Sequence, residues 1–185
     1  MMKNQIVSDV EIRKPSNLDI KELHQLFQTI VTDTFQKEGI SEMQGSLNEE
    51  IATKKVYLQQ DLNSNGMERY FLVASHQGKL IGTIEYGPSS ELIRTCTNGT
   101  FSNLVEVGTI FVHPDFQNKG IGNKLLNTMC EHLQAQKIFE FCLDSGYKNA
   151  QKVWQKKFGT PDFLLLNYWG VGFDHMIWKI SINTN

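Results

Sequence analysis

The sequence predicts a mixed α/β domain in which one mostly antiparallel sheet is flanked by helices. Short apolar runs with a period of two interleave with longer runs at spacings of three and four, so strands and amphipathic helices alternate along the 185 residues. Two central runs face each other across a glycine turn, the mark of an antiparallel hairpin. Later runs are joined through helices, and the order is not the repeating βαβ pattern of a Rossmann domain. The length fits a single domain, expected over residues 8–183.

The first strand is Val10-Glu11-Ile12-Arg13, stopped by Pro15, which cannot extend a ladder centrally. Ser16 or Asn17 then offers an N-cap for a helix whose Ile20, Leu23, Leu26, Phe27, Ile30 and Val31 share one face. A second helix is expected near residues 47–62 and is closed by Asn63-Ser64-Asn65-Gly66. Residues 70–74 and 80–84 flank His76-Gln77-Gly78 as the hairpin. Residues 88–103 are polar and read as a long loop or a distorted strand extension. Residues 105–112 are apolar enough for a strand covered on both faces. Ile121, Leu125, Leu126, Met129 and Leu133 mark the next amphipathic helix. A strand at 138–143 follows, then a helix with Ala150, Val153, Trp154 and Phe158 on one face, and final strands near 163–168 and 175–182.

Composition excludes several classes. Eighteen basic residues against twenty acidic ones give a formal net charge of −2 without any block of like charge, so no nucleic-acid footprint is present. The three cysteines, Cys96, Cys130 and Cys142, lack the number and spacing of a disulfide framework or a zinc site, and no other set has trusted metal-ligand spacing. They also lack an evident base partner, which argues against a thiol nucleophile. No apolar run reaches the ~18 residues of a membrane span, and the N-terminus lacks the apolar region of a signal peptide. A cytoplasmic, soluble protein is expected.

The chemistry is concentrated in Val112-His113-Pro114-Asp115-Phe116-Gln117-Asn118-Lys119-Gly120-Ile121-Gly122. A buried strand ends, a proline breaks the ladder, and a glycine loop opens directly into a helix. Unpaired amides and the helix dipole at such a junction suit a phosphate anion. Gly120 and Gly122 remove side chains that would hold a diphosphate away from the backbone, and Lys119 adds charge at the rim. A glycine pair could also serve only to turn the chain, but here strand, break, loop and helix occur in sequence.

Gln117-x-x-Gly120-x-Gly122 resembles the Gln/Arg-x-x-Gly-x-Gly/Ala signature of the GNAT N-acetyltransferases, and residues 112–116 are similar to that family's strand-end pattern. The order of elements also matches over essentially the whole chain. The resemblance implies a sheet whose fourth and fifth strands, here residues 105–112 and 138–143, splay apart. It implies acetyl-CoA as co-substrate with no metal, and an amine acceptor of a small molecule or peptide. Ile110, Phe111 and Val112 would meet the pantetheine arm. Gln117, Asn118, Lys119, Gly120, Ile121, Gly122 and Asn123 would meet the diphosphate. A backbone N–H near Val112 would lie by the thioester oxygen, where it stabilises developing charge.

An amine attacks a thioester only when neutral, and a lysine-like amine near pKa 10.4 is mostly protonated at neutral pH, so a base is useful. Glu106 is the expected base, because the resemblance puts a glutamate at this strand position in the histone-acetyltransferase branch; Glu85 is held in reserve. The tyrosine acid carried by many family members falls on Gln155 here, and an asparagine often found earlier on that helix is Lys148. Tyr147 and Ser145 are the substitutes by position. His175 could face an acceptor, though a strand with Met176 and Trp178 on one core face explains it more simply. The competing reading is a non-catalytic acyl-CoA-binding regulatory module of the same fold, favoured by the departures from the tyrosine and asparagine slots. Pairing of C-terminal strands in a homodimer is compatible with the sequence. The acceptor's identity and the length of the acyl group are not encoded in any recognisable pattern.

Overall fold

The computed structural model describes residues 7–182. Its strands are β1 (Glu11–Arg13), β2 (Tyr70–His76), β3 (Lys79–Pro88), β4 (Val105–Val112), β5 (Glu140–Ser145), β6 (Phe163–Leu165) and β7 (His175–Ser181). Its helices are α1 (Ile20–Glu38), α2 (Gln44–Ser64), α3 (Glu91–Cys96), α4 (Ile121–Ala135) and α5 (Lys148–Phe158). The strands form a seven-stranded sheet in the order β1-β2-β3-β4-β5-β7-β6. The β1–β2, β2–β3, β5–β7 and β6–β7 pairs are antiparallel. The parallel pair is β4–β5, registered at Val105↔Phe141 and Glu106↔Cys142.

The chain divides into two compact units, one running up to Tyr86 and including Thr109–His132, the other comprising Gly87–Gly108 and the chain from Leu133. In the first, the expected stripe of α1 is buried: Leu23, Leu26, Phe27 and Ile30 pack with Leu58, Phe71, Val73 and Leu80. A helix start is built at Ser16, where Asp19 reaches back to the Ser16 N–H at 2.7 Å, completing a capping box. Arg13 clasps the same carboxylate with two contacts of 2.8 Å, tying β1 to the helix entrance. At the other end Gly39 adopts φ 72, the left-handed backbone that closes α1. Gln77 and Gly78 both have positive φ, 50 and 77, which gives the β2–β3 hairpin the primed turn that matches strand twist.

In the second unit Ile93, Phe101, Cys142 and Ile177 form a buried cluster, with the Phe101 and Phe163 rings edge-on at 5.3 Å. The polar stretch at 88–103 is therefore neither a plain loop nor a strand extension. It holds α3, capped by the Ser90 hydroxyl accepting from the Ile93 N–H. Six residues are too few to show apolar periodicity, and the stretch's buried anchors Ile93 and Phe101 are separated by mostly polar residues. Helix α5 also departs from expectation: Val153 is 56 % exposed, while Gln151 is 6 % exposed. Gln151 earns its burial by donating to the carbonyls of Ser145 and Asp174, both at 2.9 Å.

Candidate functional site

The glycine loop is built in the first unit. His113 opens a 3-10 turn over Pro114–Phe116, its Nδ1 accepting from the Asp115 N–H at 3.3 Å. Asn118 (φ 59) and Gly120 (φ 87) then take left-handed backbone, which reverses the chain into α4. The Lys124 N–H donates to the Gly120 carbonyl at 3.0 Å, so Gly120 immediately precedes the first turn. Ile121 buries its side chain and anchors that turn. The first amides of α4 have no acceptor within the helix, and they sit at the positive end of its dipole. The two glycines do different work. Gly120 needs its positive φ, and a Cβ there would lie 3.4 Å from Val7 Cγ2. A Cβ at Gly122 would make only an ordinary 3.8 Å contact with Val112 Cγ2, so this bare position is not imposed by packing.

Of the residues expected at the anion, Gln117 and Lys119 turn their side chains to the loop itself. Gln117 donates from Nε2 to the Val112 carbonyl at 3.1 Å and accepts from Lys37 Nζ at 3.0 Å, latching the end of β4 to the loop. Lys119 Nζ donates to the Asp115 carbonyl at 2.6 Å and lies 5.0 Å from the Phe116 ring centre. Lys37, a cation joined to this loop, escaped sequence reading because nothing in the chain links positions 37 and 117. Its only sequence signal is the ordinary helical pair with Asp33 at 2.6 Å. Lys124 holds the carbonyls of Val7 and Val10 at 2.8 and 2.6 Å, which fixes the entry to β1 against α4.

Upstream of the loop, residues 110–112 follow a backbone irregularity. Thr109 lies at φ 49 within β4 and is 5 % exposed. For a β-branched residue this left-handed conformation costs roughly 1–3 kcal/mol and persists only where surrounding contacts impose it. Those contacts come from β3, and α2 backs them through Arg69. Thr83 Oγ1 donates to the Thr109 carbonyl at 2.9 Å, and Thr109 Oγ1 donates to Glu85 Oε1 at 3.1 Å. Arg69 Nη1 meets the other Glu85 oxygen at 2.5 Å, with both side chains buried. Arg69 Nε also donates to Gln60 Oε1 at 3.3 Å, and its guanidinium lies 3.6 Å from the Tyr57 ring centre. Glu85, the reserve base, is thus an ion-paired carboxylate with both oxygens occupied, and the base role is withdrawn from it.

In the second unit Glu106 is half-buried on β4, and its Oε2 accepts from the Ser90 N–H at 2.6 Å. The side chain therefore also holds the entrance of α3. Ser145 is buried, and its hydroxyl accepts from the Tyr147 N–H at 3.1 Å. That contact shapes the turn from β5 into α5, where Tyr147 is the half-buried N-cap residue. Gln155, in the slot of the usual acid, is exposed. His175 is buried beside Ile177 and Trp178, bonded through Nε2 to Asp144 Oδ2 at 3.0 Å and through Nδ1 to the Trp169 indole N–H at 3.0 Å. Because the indole only donates, Nδ1 accepts and Nε2 carries the proton toward Asp144. The expected core face of Met176 and Trp178 is replaced by a buried run of His175, Ile177 and Trp178. Burial, followed by the charges of Glu106 and Asp144, pushes the Cys142 thiol up to about 12, which keeps it protonated. Among the described residues no group of His, Cys, Asp and Glu is placed to hold a metal ion. No described helix is long and apolar enough to cross a membrane.

Comparison with known structures returns the same architecture. A protein of the GNAT family from Desulfovibrio desulfuricans superposes with a TM-score of 0.72 at 15 % identity, covering 94 % of this chain and 99 % of that one. The PaiA N-acetyltransferase of Thermoplasma acidophilum, solved in complex with coenzyme A, gives 0.65 at 20 % identity, with 93 % and 98 % covered. The yncA protein of Salmonella typhimurium, solved with its cofactor acetyl-CoA, gives 0.64 at 15 % identity, with 95 % of each chain covered. At these identities the likeness concerns the fold. No curated protein matches the sequence. The profile of the acetyltransferase (GNAT) family matches residues 23–160, from within α1 to just beyond α5 and including the central strands and the glycine loop, and the chain belongs to that family.

Proposed function

We propose that this protein is an N-acetyltransferase that moves an acetyl group from acetyl-CoA to a primary amine of a small molecule or peptide, by direct attack within a ternary complex. The observation that carries the reading is the junction from β4 into α4. A strand end, a left-handed turn at Gly120 and the absence of a side chain at Gly122 suit the N-terminus of α4 to a diphosphate. The amides of Gly120, Ile121, Gly122 and Asn123 are the proposed diphosphate ligands, and residues 110–112 offer backbone groups to the pantetheine arm. In this reading Gln117 and Lys119 shape the loop, since their polar ends are bonded to it. A backbone N–H at the end of β4 would stabilise charge on the thioester oxygen as the amine attacks.

Glu106 is the proposed base that takes the proton from the acceptor's ammonium form, so that the neutral amine can attack, with one carboxylate oxygen steadied by Ser90. Tyr147 is preferred over Ser145 as donor to the departing thiolate, because the Ser145 hydroxyl is engaged by the Tyr147 backbone. The protonated Cys142 thiol favours direct transfer over an acyl-cysteine intermediate at this site. A cytoplasmic setting and a homodimer through the C-terminal strands belong to the same proposal.

Isothermal titration of acetyl-CoA into the wild type and Gly122→Glu tests the cofactor reading. The variant keeps an ordinary helical backbone, and a carboxylate there suits the helix dipole, so folding is expected to survive while a diphosphate is repelled. Micromolar binding by the wild type, weakened at least a hundredfold in Gly122→Glu, is expected. Thiol release with a panel of primary amines then reports turnover, which should fall at least a hundredfold in Glu106→Gln with acetyl-CoA affinity kept. No binding by the wild type sinks the cofactor reading. Tight binding with no turnover on any amine leaves the regulatory module in its place.

A further inference from the structure

We propose that Arg69 and Glu85 are positioning residues whose buried pair, through the Thr109 hydroxyl, locks the left-handed backbone of Thr109 and so aims the amides of residues 110–112 at acetyl-CoA. The second half of this statement rests on the acetyl-CoA reading above. Thr109 is an expensive choice for φ 49, and Gly108 stands directly before it. A glycine would adopt the same backbone more readily, but it would offer no hydroxyl. The hydroxyl donates to Glu85 at 3.1 Å while the Thr109 carbonyl accepts from Thr83 at 2.9 Å, so the residue is gripped through side chain and backbone together.

The grip continues along the strand. A Cβ on Gly82 would fall 2.7 Å from the Phe111 carbonyl oxygen, so a side chain at this position of β3 would force the Phe111 backbone away. The His113 N–H then donates to the Ile81 carbonyl at 2.8 Å. Residues 109–113 are thereby held by Ile81, Gly82, Thr83 and Glu85 in turn. A buried Arg–Glu pair is a poor device for stability alone, because apolar side chains of similar volume commonly stabilise as well or better. What such side chains cannot supply is an acceptor for the Thr109 hydroxyl. Arg69, fixed by Gln60 and stacked on Tyr57, keeps the Glu85 carboxylate aimed where that acceptor is needed.

The test compares Thr109→Ser, Thr109→Val and the double variant Arg69→Met/Glu85→Met with the wild type. Amide hydrogen exchange over residues 109–113 is read without ligand, beside the melting temperature and the affinity for acetyl-CoA. Thr109→Ser keeps the hydroxyl and should stay within twofold of the wild type in affinity. Thr109→Val and the double variant should melt within a few degrees of it, exchange at least tenfold faster over 109–113 alone, and bind acetyl-CoA at least tenfold more weakly. Unchanged exchange at 109–113 in both would overturn the clamp. Faster exchange with unchanged affinity would overturn its link to the cofactor. Exchange needs no ligand, so a wild type that failed to bind acetyl-CoA would remove the cofactor reading while the clamp was still decided.

Discussion

Single residues on β3, β4 and β5 show how environment, more than residue type, sets chemistry in this chain. Glu85 and Glu106 looked alike in sequence, each an acid on an apolar strand. One is neutralised by Arg69 and holds Thr109, while the other accepts from the backbone of Ser90. Sequence could not separate them, because their partners lie on elements with no periodic relation to the strand. The left-handed Thr109 was equally invisible, since a β-branched residue in an apolar run reads as extended. Cys142 was legible as a small hydrophobe, and the structure gives that reading a measurable form. With its thiol raised to about 12 and its Sγ directed at the Val105 carbonyl at 3.5 Å, it should resist alkylation in the folded protein. Iodoacetamide at pH 8.5 is expected to label Cys96 and Cys130, which are partly exposed, and to reach Cys142 only in denaturant. Labelling of Cys142 in the native protein at rates like those of Cys96 would refute this environment.

At the scale of elements, long apolar stripes are legible in the sequence and isolated polar anchors are not. The stripe of α1 came directly from spacing, as did the hairpin, whose glycine lies in its turn. The glycine loop was legible because strand, break and helix N-terminus follow one another in the chain. The buried face of α5 is not legible in the sequence because its most buried side chain, Gln151, is polar. Gln151 serves two carbonyls, from Ser145 and Asp174, and no apolar pattern announces such a residue. Removing the amide leaves two acceptors without their donor, at a cost of about 1–3 kcal/mol. Gln151→Ala is therefore expected to lower the denaturant midpoint clearly, whereas Val153→Ala, at an exposed site on the same helix, should change it little. Equal small effects from both substitutions would show that the Gln151 contacts contribute nothing net to stability.

At the scale of the whole molecule, element order points to a mixed α/β sheet and away from a Rossmann domain, and the glycine-loop motif is what narrows it to one family's architecture. What order could not supply is how folding responds to pH, which depends on a few titrating groups in their final surroundings. The hydrogen bond from Arg13 is the main reason that Asp19 is held at about 2, below its ordinary 3.8. A carboxyl with a lower folded than unfolded pKa binds its proton more readily in the unfolded chain. Its contribution is therefore full above about pH 4 and is lost as pH falls toward 2. Arg13 is 38 % exposed, so solvent screening leaves about 1–2 kcal/mol for this clasp. Burial, followed by Lys55 for His24 and Lys14 for His132, lowers both histidines from 6.5. The unfolded chain again takes up the proton first, so stability also erodes as pH drops below 6.5. Melting temperature should thus be steady from pH 7 to 8, sag below 6.5 and fall again below 4. Asp19→Asn should melt lower than the wild type at pH 7 and lose much of the second decline. An acid limb below pH 4 that is identical in Asp19→Asn and the wild type would place that sensitivity elsewhere than the β1–α1 clasp.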